Sequence, residues 1–108
     1  MMAMKKFLLI AAVLIVPMQT QAADSAAGRE KSKVCAACHG ETGADPLQDN
    51  PKLAGQHYSY LVQALNDYQS GKRKNPVMSG MVANLTKRDI LDLAAFYAAQ
   101  PPALQTKY

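Results

Sequence analysis

The hydrophobic positions of the chain form one unbroken run near its start and two helical patterns further along. Residues 7–16 are all apolar. Over residues 57–70 and 86–100 the apolar residues recur at spacings of three and four, which predicts two amphipathic helices. The side chains predicted to be buried are Tyr58, Leu61, Val62, Leu65 and Tyr68 in the first of these helices, and Ile90, Leu93, Ala94 and Tyr97 in the second, with Leu91 and Phe96 flanking. No strand-like alternation of useful length is present, so the predicted fold class is all-α.

An earlier helix is predicted from about Ser25 to the two cysteines, with Asp24 or Ser25 as its cap. Gly28 costs this helix about 1 kcal/mol relative to alanine, so its presence indicates close approach by another backbone. Residues 40–55 and 72–84 are predicted to be loops, because glycine, proline, aspartate and asparagine recur in the first and Pro76 and Gly80 interrupt the second. Thr86 and Asp89 form a capping-box pattern at the start of the last helix.

The N-terminal run has the order of a secretory signal. The basic pair Lys5 and Lys6 precedes the apolar residues, Pro17 ends them, and small residues follow at Ala22 and Ala23. About ten apolar residues are too few for a membrane-spanning helix, which needs about 20. We therefore expect residues 1–23 to be removed on export to the periplasm and residues 24–108 to form the mature domain, with no stable membrane insertion.

The charge and size of the mature chain narrow the classes of function. The whole chain carries a net charge of +4, and the region after the signal has ten Lys/Arg against eight Asp/Glu. This balance, without a basic stripe interleaved with aromatics, argues against a nucleic-acid partner. A domain of about 85 residues forms a marginal core from side chains alone, and a metal, disulfide or cofactor often contributes the remainder.

Two cysteines and a histidine carry the clearest chemistry in the sequence. Cys35, Cys38 and His39 form a C-x-x-C-H motif, the attachment pattern of c-type haem, in which two thiols bind the porphyrin and the histidine binds iron. A thioredoxin-like motif would need a βαβ context, and a zinc site would need four ligands. A chance match to so short a pattern is the remaining alternative. We therefore predict one covalently bound haem c.

The second axial ligand of the iron has three candidates. Only Met78 and Met81 remain among the methionines once the signal is removed, and both fall in the predicted loop before the last helix. A methionine in a small domain is more often a packing residue, but a haem changes that expectation. His57 is the only other histidine, and its place at the start of a helix favours a surface position.

The chain resembles the class I cytochromes c, close to the single-haem units of the cytochrome c4, c5 and c553 type. The resemblance rests on Gly28 and on residues 35–40, 51–56, 78–85 and 92–97, and it covers essentially the whole mature chain. It implies that Met78 is the axial ligand and Met81 a packing residue. It also implies that the carbonyl of Pro51 accepts a hydrogen bond from His39 and thereby orients the imidazole.

Further roles follow from the same resemblance. It implies that Leu53 packs against the haem, that Gly28 lies where the first and last helices cross, and that Arg73 pairs with a haem propionate. If Arg73 has this role, Lys72 and Lys74 would help to steer an acidic redox partner. The alternative is that all three residues form a solvated basic run without a specific contact. Phe96 and Tyr97 stand in the reverse of the order common in the family, which leaves a hydroxyl contact there open.

These features predict a small fold of three main helices and loops around one haem. The expected protein is an electron carrier, not an enzyme, that exchanges single electrons with redox partner proteins and has no small-molecule substrate. We expect a monomer or weak dimer. Two alternatives are a haem-bearing subunit of a larger oxidoreductase complex, and a haem sensor or enzyme with a displaceable distal ligand.

Overall fold

The computed structural model describes residues 2–6, 8–17 and 22–102. This part of the chain contains α-helices and no strand, as the sequence predicts: α1 (Ser25–Lys31), α2 (Lys33–His39), α3 (Tyr58–Ser70), α4 (Pro76–Val82) and α5 (Lys87–Ala98). Within the predicted signal, residues 2–6 and 8–17 have no regular secondary structure, whereas positions 1, 7 and 18–21 lie outside the described residues. No helix in the described ranges is long and apolar enough to cross a bilayer.

The predicted first helix is in fact two helices that meet at Ser32. This residue is buried, and its hydroxyl donates a hydrogen bond to the Arg29 carbonyl at 2.7 Å. A serine hydroxyl that bonds to a carbonyl of the preceding turn competes with the helical backbone and favours a bend. The break separates α1, which packs on α5, from α2, which carries the cysteine motif.

The predicted loop over residues 72–84 contains a helix, so this part of the sequence prediction was wrong. The side chain of Asn75 accepts hydrogen bonds from the backbone N–H groups of Val77 and Met78, and Pro76 occupies the first turn. Seven residues are too few for a helix that is stable alone, so α4 depends on its contacts with α3. Among these contacts, the Ser79 hydroxyl donates to the Tyr68 carbonyl at 3.2 Å.

Helices α1 and α5 cross at Gly28, as predicted. A Cβ atom at this position would lie 2.0 Å from the backbone oxygen of Asp92 and 2.8 Å from the Cβ atom of Phe96. Only glycine therefore permits the observed approach of the two backbones. The capping box of α5 also forms as predicted, since the Thr86 hydroxyl accepts from the Asp89 N–H and the Asp89 carboxylate accepts from the Thr86 N–H.

The core lies between α3 and α5. Its buried cluster consists of Leu61, Leu93, Ala94, Phe96 and Tyr97, all on the two predicted helices. Tyr58 differs from the prediction, because it is 40% exposed at the first turn of α3. Asp92, on α5, is a second difference, because it is buried although its type favours the surface.

Asp92 is buried because three donors surround its carboxylate. It accepts a hydrogen bond from the Asp24 N–H at 2.8 Å and ion pairs with Lys31 at 2.8 Å and Arg88 at 3.1 Å. Burial alone would raise the pKa of Asp92, but these donors outweigh it and hold the pKa below the usual range. The carboxylate thus ties the start of α1 to α5.

We expect the Asp92→Asn variant to lose about 2 kcal/mol of stability at pH 7, because it removes a charged acceptor from a buried site. An aspartate with a depressed pKa stabilises the fold above its unfolded pKa of about 4 and loses this contribution as pH falls through the folded value. Urea unfolding at pH 7 and pH 3 measures the difference. The difference in unfolding free energy between Asp92→Asn and the parent protein should be smaller at pH 3 than at pH 7. The control is Asp49→Asn, at an exposed position, which should change the unfolding free energy little at either pH. A gap of equal size at both pH values would contradict this role.

Candidate haem-binding site

Helix α2 carries both cysteines, Cys35 in its first turn and Cys38 next to its last residue. Both are free thiols, with Cys35 half-buried and Cys38 exposed. Burial is the main cause that raises the pKa of the Cys35 thiol above its usual value. A reactive redox cysteine has a lowered pKa, so this environment does not resemble that of a thioredoxin-like C-x-x-C pair.

The imidazole of His39 is buried and oriented by the backbone. Its Nδ1 atom lies 2.8 Å from the Pro51 carbonyl oxygen. The family resemblance implies a hydrogen bond between the same two residues. A carbonyl can only accept, so Nδ1 carries the proton and donates it. The lone pair of Nε2 is then available for a metal, with tautomer and ring orientation both set.

The predicted loop over residues 40–55 holds the Pro51 carbonyl within hydrogen-bond distance of His39. The Gly43 carbonyl accepts hydrogen bonds from the backbone N–H groups of Leu53 and Ala54 at 2.8 Å and 3.1 Å. The Leu47 N–H donates to the Cys38 carbonyl at 2.9 Å, which returns the loop to the end of α2. Gly43 has φ of +79°, and a Cβ atom there would lie 2.8 Å from the Cβ atom of Leu53, so glycine is required.

Two adjoining clefts open next to these groups, with about 770 Å³ and about 930 Å³ of empty space, including the part open to solvent. The residues that line both are Cys35, His39, Pro51, Leu65, Tyr68, Met78 and Leu93. The first cleft also reaches Gln56, Tyr60 and Arg73, and the second reaches Cys38, Val77 and Met81. Two thiols, an imidazole and a thioether therefore converge on a largely apolar space. This donor set and shape fit a haem.

The three candidates for the second axial ligand differ in their positions. Met78 is half-buried and lines both clefts, whereas Met81, one turn later on α4, lines only the second and is 45% exposed. His57 is exposed at the start of α3 and lines neither cleft. Met78 is the candidate that shares both clefts with His39.

The other residues implied by the resemblance also lie at the site. Leu53 is half-buried and lines the first cleft, as does Arg73. Tyr97 contacts Phe96 edge-on, with ring centroids 5.0 Å apart, and burial raises the pKa of its hydroxyl. The Tyr97 hydroxyl is buried without a hydrogen-bond partner among the described residues.

Three polar residues of the first cleft, Lys52, Gln56 and Tyr60, were not predicted from the sequence. Lys52 and Gln56 belong to the segment 51–56, which carries the family resemblance without a role for either side chain, and Tyr60 lies off the predicted apolar face of α3. Across residues 2–6, 8–17 and 22–102 there is no cluster of three or more His, Cys, Asp or Glu side chains that could hold a bare metal ion.

Comparison with known proteins gives the family. The family model described as "Cytochrome c" matches residues 25–99, from the first residue of α1 to just beyond the end of α5. The chain belongs to the cytochrome c family. Cytochromes of this family are electron carriers rather than enzymes, and they bind haem c covalently.

Individual relatives of this cytochrome differ in length. Cytochrome c4 from Pseudomonas aeruginosa is 46% identical over 79 residues, which span 73% of this chain and 39% of that protein. Cytochrome c-554(548) from Halomonas halodenitrificans is 39% identical over 82 residues, 73% of this chain and 99% of that protein. The solved structure of reduced cytochrome c4 from Pseudomonas stutzeri has a TM-score of 0.70 at 39% identity, covering 75% of this chain and 47% of that one. The chain thus spans less than half the length of these cytochrome c4 relatives.

Proposed function

We propose that this cytochrome is a periplasmic carrier of single electrons with one haem, held by Cys35 and Cys38 and ligated by His39 and Met78. The observation that carries the proposal is the convergence of these four side chains on adjoining apolar clefts. These 108 residues contain one C-x-x-C-H motif, which accounts for one haem.

A bound haem supplies reversible one-electron chemistry at its iron. The residues of the chain set the conditions for that chemistry. The Pro51 carbonyl keeps the His39 proton on Nδ1, so that the lone pair of Nε2 would be free to hold the iron. Ligation by Met78 on the other side would leave no open position for a substrate, and methionine favours the ferrous state.

Export to the periplasm is proposed from the sequence alone. The basic pair, the short apolar run and the small residues at 22–23 support removal of residues 1–23.

The partners we propose are other redox proteins that meet the rim of the second cleft. Val34, Val77 and Met81 are exposed apolar side chains on this rim, and Cys38 is exposed beside them. A small apolar rim suits brief encounters, since electron-transfer interfaces are at the small and weak end of the range. A role as a subunit of a larger oxidoreductase complex is the alternative.

A redox titration of the exported protein, followed by its visible spectrum, tests haem, ligation and reversibility together. We expect one covalently bound haem per chain, a single one-electron transition, and no binding of carbon monoxide to the reduced protein, because Met78 would hold the second ligand position of the iron. Rapid stoichiometric binding of carbon monoxide without denaturation would instead support a haem sensor or enzyme. A protein that carries no covalent haem would overturn the proposal altogether.

A further inference from the structure

The hydroxyl of Tyr97 is a buried polar group that the proposed function does not use. The side chain is 4% exposed, and its hydroxyl has no hydrogen-bond partner among the described residues. Burial of an unpaired hydroxyl costs free energy, and folded proteins pair most such groups. A tyrosine at this position, where phenylalanine would fill the same space, therefore calls for an acceptor.

The ring of Tyr97 is fixed against the loop over residues 40–55. The Tyr97 carbonyl accepts a hydrogen bond from the Gly55 N–H at 2.9 Å, and its ring meets Phe96 edge-on. A Cβ atom at Gly43 would lie 2.9 Å from the Cδ1 atom of the Tyr97 ring, so the loop backbone packs closely on this ring. Because the phenol oxygen lies in the plane of the ring, a fixed ring also fixes the position of the oxygen.

Cys35 is the neighbour that is placed to accept from this hydroxyl. It packs against the buried cluster that contains Tyr97, and both side chains line the first cleft. The two groups also affect each other's ionisation. Burial raises the pKa of Tyr97 and Cys35 raises it further, whereas the Tyr97 hydroxyl opposes the larger effect of burial on the pKa of Cys35. These effects agree with the packing, since both require the phenol oxygen to lie near the sulfur.

Attachment to haem would change what the Cys35 sulfur can do. A free thiol carries a proton of its own, and its sulfur is a weak acceptor. In c-type attachment the thiol adds across a vinyl double bond of the porphyrin. A C–S bond forms, the S–H bond breaks and its hydrogen passes to the neighbouring vinyl carbon, so nothing is oxidised or reduced. The thioether sulfur has no proton and can only accept.

Ser32 is a second polar side chain near the Tyr97 hydroxyl. Its own proton is donated to the Arg29 carbonyl at 2.7 Å, so that its oxygen is also left as an acceptor. Ser32 lines neither of the two clefts, and its effect on the pKa of Tyr97 ranks below those of burial and Cys35. The position of Cys35 in the first cleft therefore favours the sulfur as the acceptor.

We infer that the Tyr97 hydroxyl donates a hydrogen bond to the thioether sulfur at Cys35 and is a positioning residue for this attachment point. The inference rests on the proposed function, because the thioether exists only in the haem-loaded protein. The bond would join α5 to α2 and hold the first attachment sulfur against the buried cluster.

The first test is urea unfolding of the haem-loaded Tyr97→Phe variant, because the sign of the effect is diagnostic. Loss of a hydrogen bond destabilises the fold, whereas loss of an unpaired buried hydroxyl stabilises it. We expect the unfolding equilibrium constant to rise about fivefold, equivalent to about 1 kcal/mol. The matched control is Tyr58→Phe, at a 40% exposed tyrosine that lines neither cleft, which should leave the constant unchanged. A Tyr97→Phe protein as stable as the parent, or more stable, would overturn the inference.

The second test identifies the acceptor by double-mutant cycles in the haem-loaded protein. The effect of Tyr97→Phe should disappear in the Cys35→Ala background, which keeps Cys38 as an attachment point, and should persist in the Ser32→Ala background. An effect that persists without Cys35, or that disappears without Ser32, would assign the bond to another acceptor and overturn the inference.

Proton NMR of the reduced parent protein checks the same bond without a cysteine variant. A hydroxyl proton that is absent from Tyr97→Phe should show a nuclear Overhauser effect to the β-protons of Cys35. A parent spectrum without this effect would contradict the inference and leave the proposed function standing. A parent protein without covalent haem would overturn both.

Discussion

Replacing Gly28 by alanine is expected to lower the free energy of unfolding by about 3 kcal/mol or more, the upper range for overpacked sites. The new Cβ atom would lie 2.0 Å from the backbone oxygen of Asp92 and 2.6 Å from its carbonyl carbon. Backbone atoms within α5 cannot move independently, so α1 and α5 must separate along their crossing. Urea unfolding of the haem-loaded protein measures the loss, and a lower yield of holoprotein should accompany it.

Gly80 provides the matched control for this change. It also lies within a helix, α4, but a Cβ atom there would meet nothing within 4 Å. Gly80→Ala should therefore leave stability unchanged or raise it by up to about 1 kcal/mol, the difference in helix propensity. If both alanine variants unfolded at the same urea concentration, close packing at Gly28 would not be the reason for its glycine.

The second large effect is expected at Met78. In the haem-loaded protein, Met78→Ala should abolish the thioether charge-transfer band of the ferric haem. The reduction potential should fall by on the order of 0.1 V or more, within the range of about 0.8 V that axial ligands set. The physical reason is that Met78 is the half-buried thioether that lines both clefts with His39. The visible spectrum and a redox titration measure the two quantities.

Met81→Ala is the control, since it removes the same side chain from the next turn of α4. Met81 is 45% exposed and lines only the second cleft, so its loss should change neither the band nor the potential by a comparable amount. A band that survives in Met78→Ala and disappears in Met81→Ala would reverse the assignment. A reduced Met78→Ala protein should also bind carbon monoxide, because the position opposite His39 is then open.

Helical periodicity predicts α3 and α5 well and misses α4, for a physical reason. The two longer helices each bury a continuous apolar face, which leaves a pattern in the sequence. In α4 Val82 is the buried residue, and the helix is held by its Asn75 cap and by polar contacts to α3. The cap was visible as Asn75 followed by Pro76, a signal that could have located the start of this helix.

Asp92 and Tyr60 show a second limit. An aspartate on a helix is expected at the surface. Burial of Asp92 is favourable only because Asp24 and Lys31, which are distant in the sequence, donate to its carboxylate. Tyr60 lies outside the apolar face of α3, and only the position of Arg73 beyond the end of that helix gives its hydroxyl a partner. Neither relation has a local signature.

The sequence by itself determined the all-α class, the close approach of two helices at Gly28 and the cap of α5, and it contains the C-x-x-C-H motif at Cys35, Cys38 and His39. These features depend on residues close together in the sequence, because they follow from side-chain type, from helical spacing, or from a single position where only glycine fits. The tertiary structure decided which methionine shares both clefts with His39, and how Tyr60 and Tyr68 hold Arg73 at the rim of the first cleft. Those relations join residues far apart in the chain, and they exist only once α3, α4 and α5 are packed together.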